Sequence, residues 1–543
     1  MYCESQVSKQ VAPLWGLVDK VYSRRMLPFV PRRIWNTREF EPPWQNTEPS
    51  ILEYLKAQGD DMEEVRLPDA PQREKGKSLT FVPGALDNLL GQPEGNAADI
   101  CKAVTKVLKH PNAPNIEALY RTLLDEDAIS VVDGAIDIFA ETPPDWERLA
   151  IFFEWLASHS PDREPVKFAI AMLGISGRDF TDLFLTFGAH EEFTKYAAVA
   201  LANSLPPEEA RDAQAKLARR VRGWGRIDLV ERLAHDADAA FRHWLVRDGY
   251  KNSIMYEYLA CIAAREGRLL EQLQASGAKD DVALLDGAAE IFEALVNGGP
   301  AEDMGDYTLG AEAAELWFDL IADAPATLVR GSAAQKLAHY AKRDAHPWRE
   351  EAAATIGLRA VAYIARPELH ELVRRNLHEG SRTNYWYAKT LAPDVGIDLW
   401  PIIFDRQHEE ADGDYWHDLM QTEDAQRIDK VTTLAIDRLP LVSMASGPAL
   451  EHGLGPDWKD HSALNYIVQD LKNFPGKGWK LIATSLRSPI IRNRNMGIKA
   501  LASWSKSEWP TEALPLVRRA IQDEPDPKVK ERLKGLLQPE ATD

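Results

Sequence analysis

Arg330-Gly331-Ser332-Ala333-Ala334-Gln335-Lys336-Leu337 and Arg494-Asn495-Met496-Gly497-Ile498-Lys499-Ala500-Leu501 carry one pattern twice. A basic residue is followed, three and four places on, by small or apolar residues, and a leucine lies one turn further along. On a helix these positions share a face. Small residues there let a neighbouring helix approach closely, and the leucine fills the core that the two helices share. Thr194, Ala197, Ala198 and Leu201 form a weaker copy without the basic residue. Lys530, Leu533 and Leu537 are weaker still, but the turn from Asp523 to Pro527 before them suits the opening of a helix.

The spacing of the copies points to a repeat. Arg494 to Lys530 is 36 residues and Arg330 to Arg494 is 164, which suits helix-pair units of roughly 40 residues. The 136 residues from Thr194 to Arg330 fit no whole number of such units, so the array is irregular in its middle or the first copy is spurious. Around these stretches the pattern is helix after helix. Leu149 to Ala157, Val166 to Leu173 and Phe180 to Phe187 are apolar runs separated by Gly174, Gly177 and Gly188. Glu191 to Ser204 is amphipathic and stops at Pro206 and Pro207. No β alternation and no Asn-Gly hairpin signal interrupts them.

These helix pairs resemble HEAT or armadillo repeats, most clearly from Val329 to Lys342 and from Leu481 to Leu537. The expected fold is all-α, an irregular HEAT-like α-solenoid of stacked antiparallel helix pairs. Three regions are expected: an arm and linker over 1–76, an N-terminal repeat region over 77–320 and a C-terminal HEAT-like region over 321–543. A second resemblance rests on Arg222-Gly223-Trp224-Gly225-Arg226-Ile227-Asp228, on Asn252 to Tyr258 and on Asn297 to Met304. This block is similar to a group of poorly characterised bacterial proteins, one of which is labelled a limonene hydroxylase. That resemblance implies monoterpene oxidation and brings no catalytic residues with it.

The N-terminal arm differs from the rest. Arg24, Arg25, Arg32, Arg33 and Arg38 alternate with Trp15, Tyr22, Phe29, Trp35, Phe40 and Trp44, and prolines at 28, 31, 42 and 43 forbid one long helix. The arm reads as a short helix and an extended segment whose aromatics anchor on the body. The rival reading is a basic-aromatic contact for an anionic partner. Residues Gly59 to Gly76 read as a linker.

Composition bounds the function. A net charge of −20 over 543 residues argues against a general nucleic-acid binder, because phosphate neutralisation supplies most of that affinity. No apolar run is long enough to span a bilayer, and the polar stretch from Met1 to Gln10 lacks the regions of a signal peptide. A cytoplasmic protein is expected. Cys3, Cys101 and Cys261 follow no metal-ligand spacing and read as reduced thiols.

The turn Arg219-Arg220-Val221-Arg222-Gly223-Trp224-Gly225-Arg226 is the most distinctive segment. Two glycines around a tryptophan permit a tight turn, and Arg219, Arg222 and Arg226 would offer guanidinium forks to an anion near the start of a helix. The other reading is a helix cap whose arginines complement the dipole and pair with Asp228 and Glu231. The expected binding residues are Arg219, Arg222, Trp224, Arg226, Arg492 and Arg494, with Arg222 and Arg226 facing a concave groove.

The remaining motifs are weaker. Glu302, Asp303 and Asp306 form an acidic loop without EF-hand spacing. His408 to Asp418 is rich in metal ligands, but His408 and His417 lack the spacing of a zinc-binding helix. Phe474-Pro475-Gly476-Lys477-Gly478-Trp479 lacks the ending of a phosphate loop. No motif for haem, flavin or nicotinamide is present, so no cofactor and no metal are expected. The leading expectation is a protein-interaction scaffold with a protein partner. The alternative is an enzyme, either the hydroxylase the resemblance implies or a base-excision activity supported by Arg487, Arg492, Arg494 and Trp504.

Overall fold

The computed structural model describes residues 95–538 except 411–413, with shorter stretches between 37 and 89, chiefly 49–59 and 82–89. Among the described residues the chain forms 29 α-helices and no strand beyond one bridge between Glu451 and Ile490. The all-α expectation holds, and successive helices pair and stack. The chain divides into two compact units, one of residues 1–71 and 81–372 and the other of 72–80 and 373–543. The sequence suggested a division at 320/321. Packing continues across that point: Gly310–Ile321 lies against Glu350–Ile364, and Val282–Asn297 lies against Leu328–Tyr340.

The Arg330 copy of the pattern marks a helix that is enclosed on nearly every side. Leu328–Tyr340 begins at Thr327, whose side chain caps the Arg330 amide, and buries Gly331, Ser332, Ala333, Ala334 and Leu337. Its neighbours Val282–Asn297 and Glu350–Ile364 press on it from two sides. A helix buried all round needs small side chains where its neighbours cross. In Ile491–Ser503 the same position is Gly497, where a methyl group would collide with Ser485 Oγ.

The first residue of the pattern has a separate task. Arg330 Nη1 donates to the Pro325 carbonyl at 3.3 Å, and Arg494 Nη1 to the Pro489 carbonyl at 2.9 Å, five residues back in both cases. Thr194 Oγ1 donates to the Gly188 and His190 carbonyls. Lys530 Nζ donates to the Glu524 carbonyl. Each copy thus opens with a donor that closes the turn before its helix, where carbonyls at the end of the previous element lack helical partners. Arg226 belongs to the same set, with Nε on the Val221 carbonyl at 2.7 Å. It falls 32 residues after Thr194, inside the interval that fitted no whole number of units.

In the first unit the core runs through Phe152, Phe153, Phe168, Phe184, Phe187 and Phe193. Phe40 and Trp44 dock on it, with ring centroids 5.3 and 5.4 Å from that of Trp155, as the anchoring reading of the arm requires. Trp15, Tyr22, Phe29 and Trp35 lie outside the described residues.

A charged cluster crosses this unit. Lys167, 3% exposed, sits on helix Arg163–Gly174 and contacts Asp87 at 2.8 Å, Glu192 at 2.8 Å and Glu164 at 3.0 Å. Arg163 pairs with Asp69 and Glu192. Glu192 also accepts the Gly84 amide, and His190 Nε2 donates to the Val65 carbonyl. Burial raises the Glu192 carboxyl, but Lys167 and Arg163 outweigh it and hold the group down at about 2. Segments 65–69 and 82–88 are thereby fastened to helix Arg163–Gly174 and to the turn that holds His190 and Glu192.

Candidate functional site

The Arg222–Gly225 turn is an anion site, and the anion belongs to the chain. Glu191 Oε1 accepts the amides of Arg222 at 2.7 Å and Gly223 at 2.5 Å, and Oε2 accepts the Gly225 amide at 2.5 Å. These are the free donors at the start of helix Trp224–Ala234, where partial positive charge favours a carboxylate. Burial pushes the Glu191 carboxyl above its ordinary range, while the three amides and Arg226 pull it back. Gly225 is required by closeness: a Cβ there would lie 2.5 Å from Thr194 Oγ1.

Arg226 corrects the expectation that it faces a groove. It is 1% exposed and spends its donors on the carbonyls of Ala218, Val221, Asp248 and Lys251. Ala218 lies in the last turn of helix Pro207–Arg220, so the dipole-complementing part of the cap reading describes this arginine. The pairing part does not, because Asp228 holds Arg232. Trp224 is buried and meets Tyr258 edge-on. Arg219 is exposed and lies over the Trp244 ring at 4.9 Å. Arg222 is exposed, and its carbonyl accepts the Ser253 amide.

The C-terminal arginines separate in the same way. Arg494 is enclosed and bidentate to Glu524. Trp504 is buried with Nε1 on the Leu471 carbonyl. Arg492 is half-buried and reaches Ser462 Oγ at 3.4 Å, while Arg487 folds back on the Ala483 carbonyl. The four residues that suggested a base-excision surface therefore do not form one face, since Arg494 and Trp504 are core. Lys477, in the loop that resembled a phosphate site, contacts Asp429 at 2.6 Å.

The acidic loop is bound up internally: Asp303 accepts the Gly305 amide, Asp306 accepts the Asp303 amide, and Glu302 pairs with Arg265. His417 packs edge-on to Tyr466 and Asp418 pairs with Lys389; Asp412 lies outside the described residues. Among the described residues no three His, Cys, Asp or Glu side chains are grouped to hold a metal, and no helix is long and apolar enough to cross a membrane. Burial pushes the thiols of Cys101 and Cys261 up to about 11 and about 12.

An open trough was not legible in the sequence motifs. It lies in the second unit between helices Leu399–Glu409 and Ala425–Arg438 and has a volume of about 780 Å³. Trp416–Met420, only five residues long, packs against both helices. Trp400 and Phe404 stack as its floor, with centroids 5.0 Å apart and planes 14° apart. Trp400 is held by Nε1 on the Leu419 carbonyl at 3.0 Å. The rim is charged, with Asp405 and His408 on one helix and Lys430 and Asp437 on the other. The available signal was Trp400, Phe404 and His408 on one face at helical spacing, opposite Lys430, Thr433 and Asp437.

No family model matches the chain, and no curated protein matches it. Among solved structures, a circular tandem repeat protein with novel repeat topology and enhanced subunit contact surfaces aligns at 13% identity, covering 81% of this chain and 93% of that chain, with a TM-score of 0.15.

Proposed function

We propose that the protein is an interaction scaffold whose second unit receives a segment of a protein partner in the trough between Leu399–Glu409 and Ala425–Arg438. The observation that carries this reading is the stacked Trp400–Phe404 floor inside an open, charge-rimmed trough. Grooves between helices that combine an apolar floor with a polar rim suit an amphipathic segment. Aromatic residues in such positions supply much of the energy of an interface. The helical stack around them needs no reaction centre to serve as a platform.

The test is a photo-reactive residue placed at Thr433, exposed in the trough, or at Glu531, exposed on helix Pro527–Gly535. In cells making the protein, the Thr433 probe should give a discrete cross-linked partner that the Glu531 probe does not. Identical products from both positions, or none from Thr433, would refute the assignment.

A further inference from the structure

We infer that the segment received by the trough is cationic, a peptide that places a lysine or arginine between Asp405 and Asp437 and an apolar side chain on Phe404. The inference rests on the trough being the docking site and adds the chemistry of its occupant.

The two helices run side by side in the same direction. At one end the Arg427 guanidinium lies 5.1 Å from the Trp400 ring and pairs with Asp398. At the other, Arg438 donates to the His408 carbonyl. Both C-termini therefore fall at the His408 end. Part of the charged lining is already neutralised: Arg427 pairs with Asp398 and Asp424, and Asp429 with Lys477.

Asp405, Asp437 and Lys430 line the trough without any ion pair or hydrogen bond among the described residues. Asp437 stands in the final turn of its helix and Asp405 just before the final turn of its own, near exposed carbonyl ends that carry partial negative charge. A carboxylate there is unfavourable by itself, and two lining one trough are more so. A cation supplied from outside relieves both. Phe404 lines the trough together with Asp405 and Asp437, so one occupant can bury an apolar group and neutralise carboxylates there. Helices of 11 and 14 residues give a trough about 16–21 Å long, enough for roughly three turns of a helical peptide. Lys430, nearer the other end, favours an acidic residue there and sets the direction of the occupant.

The experiment uses the full chain and two fluorescein-labelled synthetic helical peptides. One alternates leucine and lysine at three- and four-residue spacing, and the other replaces each lysine with glutamate. Anisotropy should show saturable binding of the lysine peptide and none of the glutamate peptide. Asp405→Asn with Asp437→Asn should weaken binding tenfold or more. Glu208→Gln with Glu209→Gln, which removes the same charge from an exposed site on helix Pro207–Arg220, should leave binding unchanged. These isosteric surface changes preserve the fold, which circular dichroism checks.

Equal binding of both peptides overturns the inference, as does absence of binding by the lysine peptide or undiminished binding by the Asp405/Asp437 variant. If the glutamate peptide alone cross-links at Thr433, the occupant is anionic and the trough still stands as a docking site. If neither peptide nor any partner cross-links there, both readings fall.

Discussion

Arg494 and Glu524 form a two-pronged ion pair in which each side chain is 1% exposed, with Nε–Oε2 at 2.7 Å and Nη2–Oε1 at 2.8 Å. The arginine continues to the carbonyls of Ser488, Pro489 and Ala449. It therefore joins helix Ile491–Ser503 to the loop before it and to the turn that opens Pro527–Gly535. Removing one member of an enclosed pair leaves a charge with neither water nor partner. Arg494→Ala should cost about 3–5 kcal/mol, whereas Arg494→Met with Glu524→Leu should recover most of that loss. Urea unfolding of the two variants decides it: equal losses would mean that the pair itself is not what stabilises this turn.

The Glu191 carboxylate makes a different prediction about the Arg222–Gly225 turn. Glu191→Ala frees three amides at the start of a helix and should destabilise by about 2–4 kcal/mol, since bonds to a charged acceptor contribute about 1.5–3 kcal/mol each and are not additive. Trp224→Ala should cost about 3–5 kcal/mol. Arg222→Ala, at an exposed position, should cost about 0–1 kcal/mol. Thermal unfolding gives the order. In the Glu191→Ala protein, added sulfate or acetate should raise the melting temperature more than it does in the parent, because the nest then stands open. No difference in anion response would mean that the nest forms only with Glu191.

The sequence pattern was informative where it concerned backbone closeness and less so where it concerned charge. Small residues at 333, 334 and 497 announced close helix crossings because few other arrangements need them. The arginines at 226 and 494 misled for a physical reason. Arginine is usually exposed, but carbonyls five to eight residues away in sequence take some of the Arg226 and Arg494 donors, and partners distant in sequence take the rest. Glu191 lies 31 residues from Arg222, beyond any local rule. Lys167, inside the apolar run Pro165 to Leu173, was a readable sign of the buried cluster, since a lysine there must find carboxylates. The short helix Trp416–Met420 packs against both walls of the trough, and helix ends are what sequence patterns define least well.

Two glycines test the packing in opposite directions. Gly357 sits within helix Glu350–Ile364, and a Cβ there would meet nothing within 4 Å. Gly357→Ala should stabilise by about 0.5–1 kcal/mol, through better helix propensity and a less disordered unfolded chain. Gly225→Ala forces a methyl group into Thr194, whose hydroxyl already holds two carbonyls. It should destabilise by about 1–3 kcal/mol. Calorimetry that ranked Gly225→Ala above the parent would show that this crossing is looser than described.

Acid should act on the first unit through Glu192. Its carboxyl is held at about 2 against an ordinary value of 4.5, so the unfolded chain takes up that proton before the folded one does. Stability from this group is complete above about pH 4.5 and is lost as the pH falls toward about 2. Asp87 and Glu164 work the other way. Burial raises both carboxyls despite Lys167, so the folded state binds their protons first and mild acid favours it. The two effects partly offset each other near pH 4–5, and the loss steepens below that. Glu192→Gln should therefore destabilise by about 3 kcal/mol at pH 7, the equivalent of the shift, and by progressively less as the pH drops through 4 and 3. The measurement is urea unfolding of both proteins at pH 7, 5, 4 and 3. A difference that stays constant across this range would mean that Glu192 stabilises by shape and neutral hydrogen bonding, and that its charge contributes nothing to the cluster.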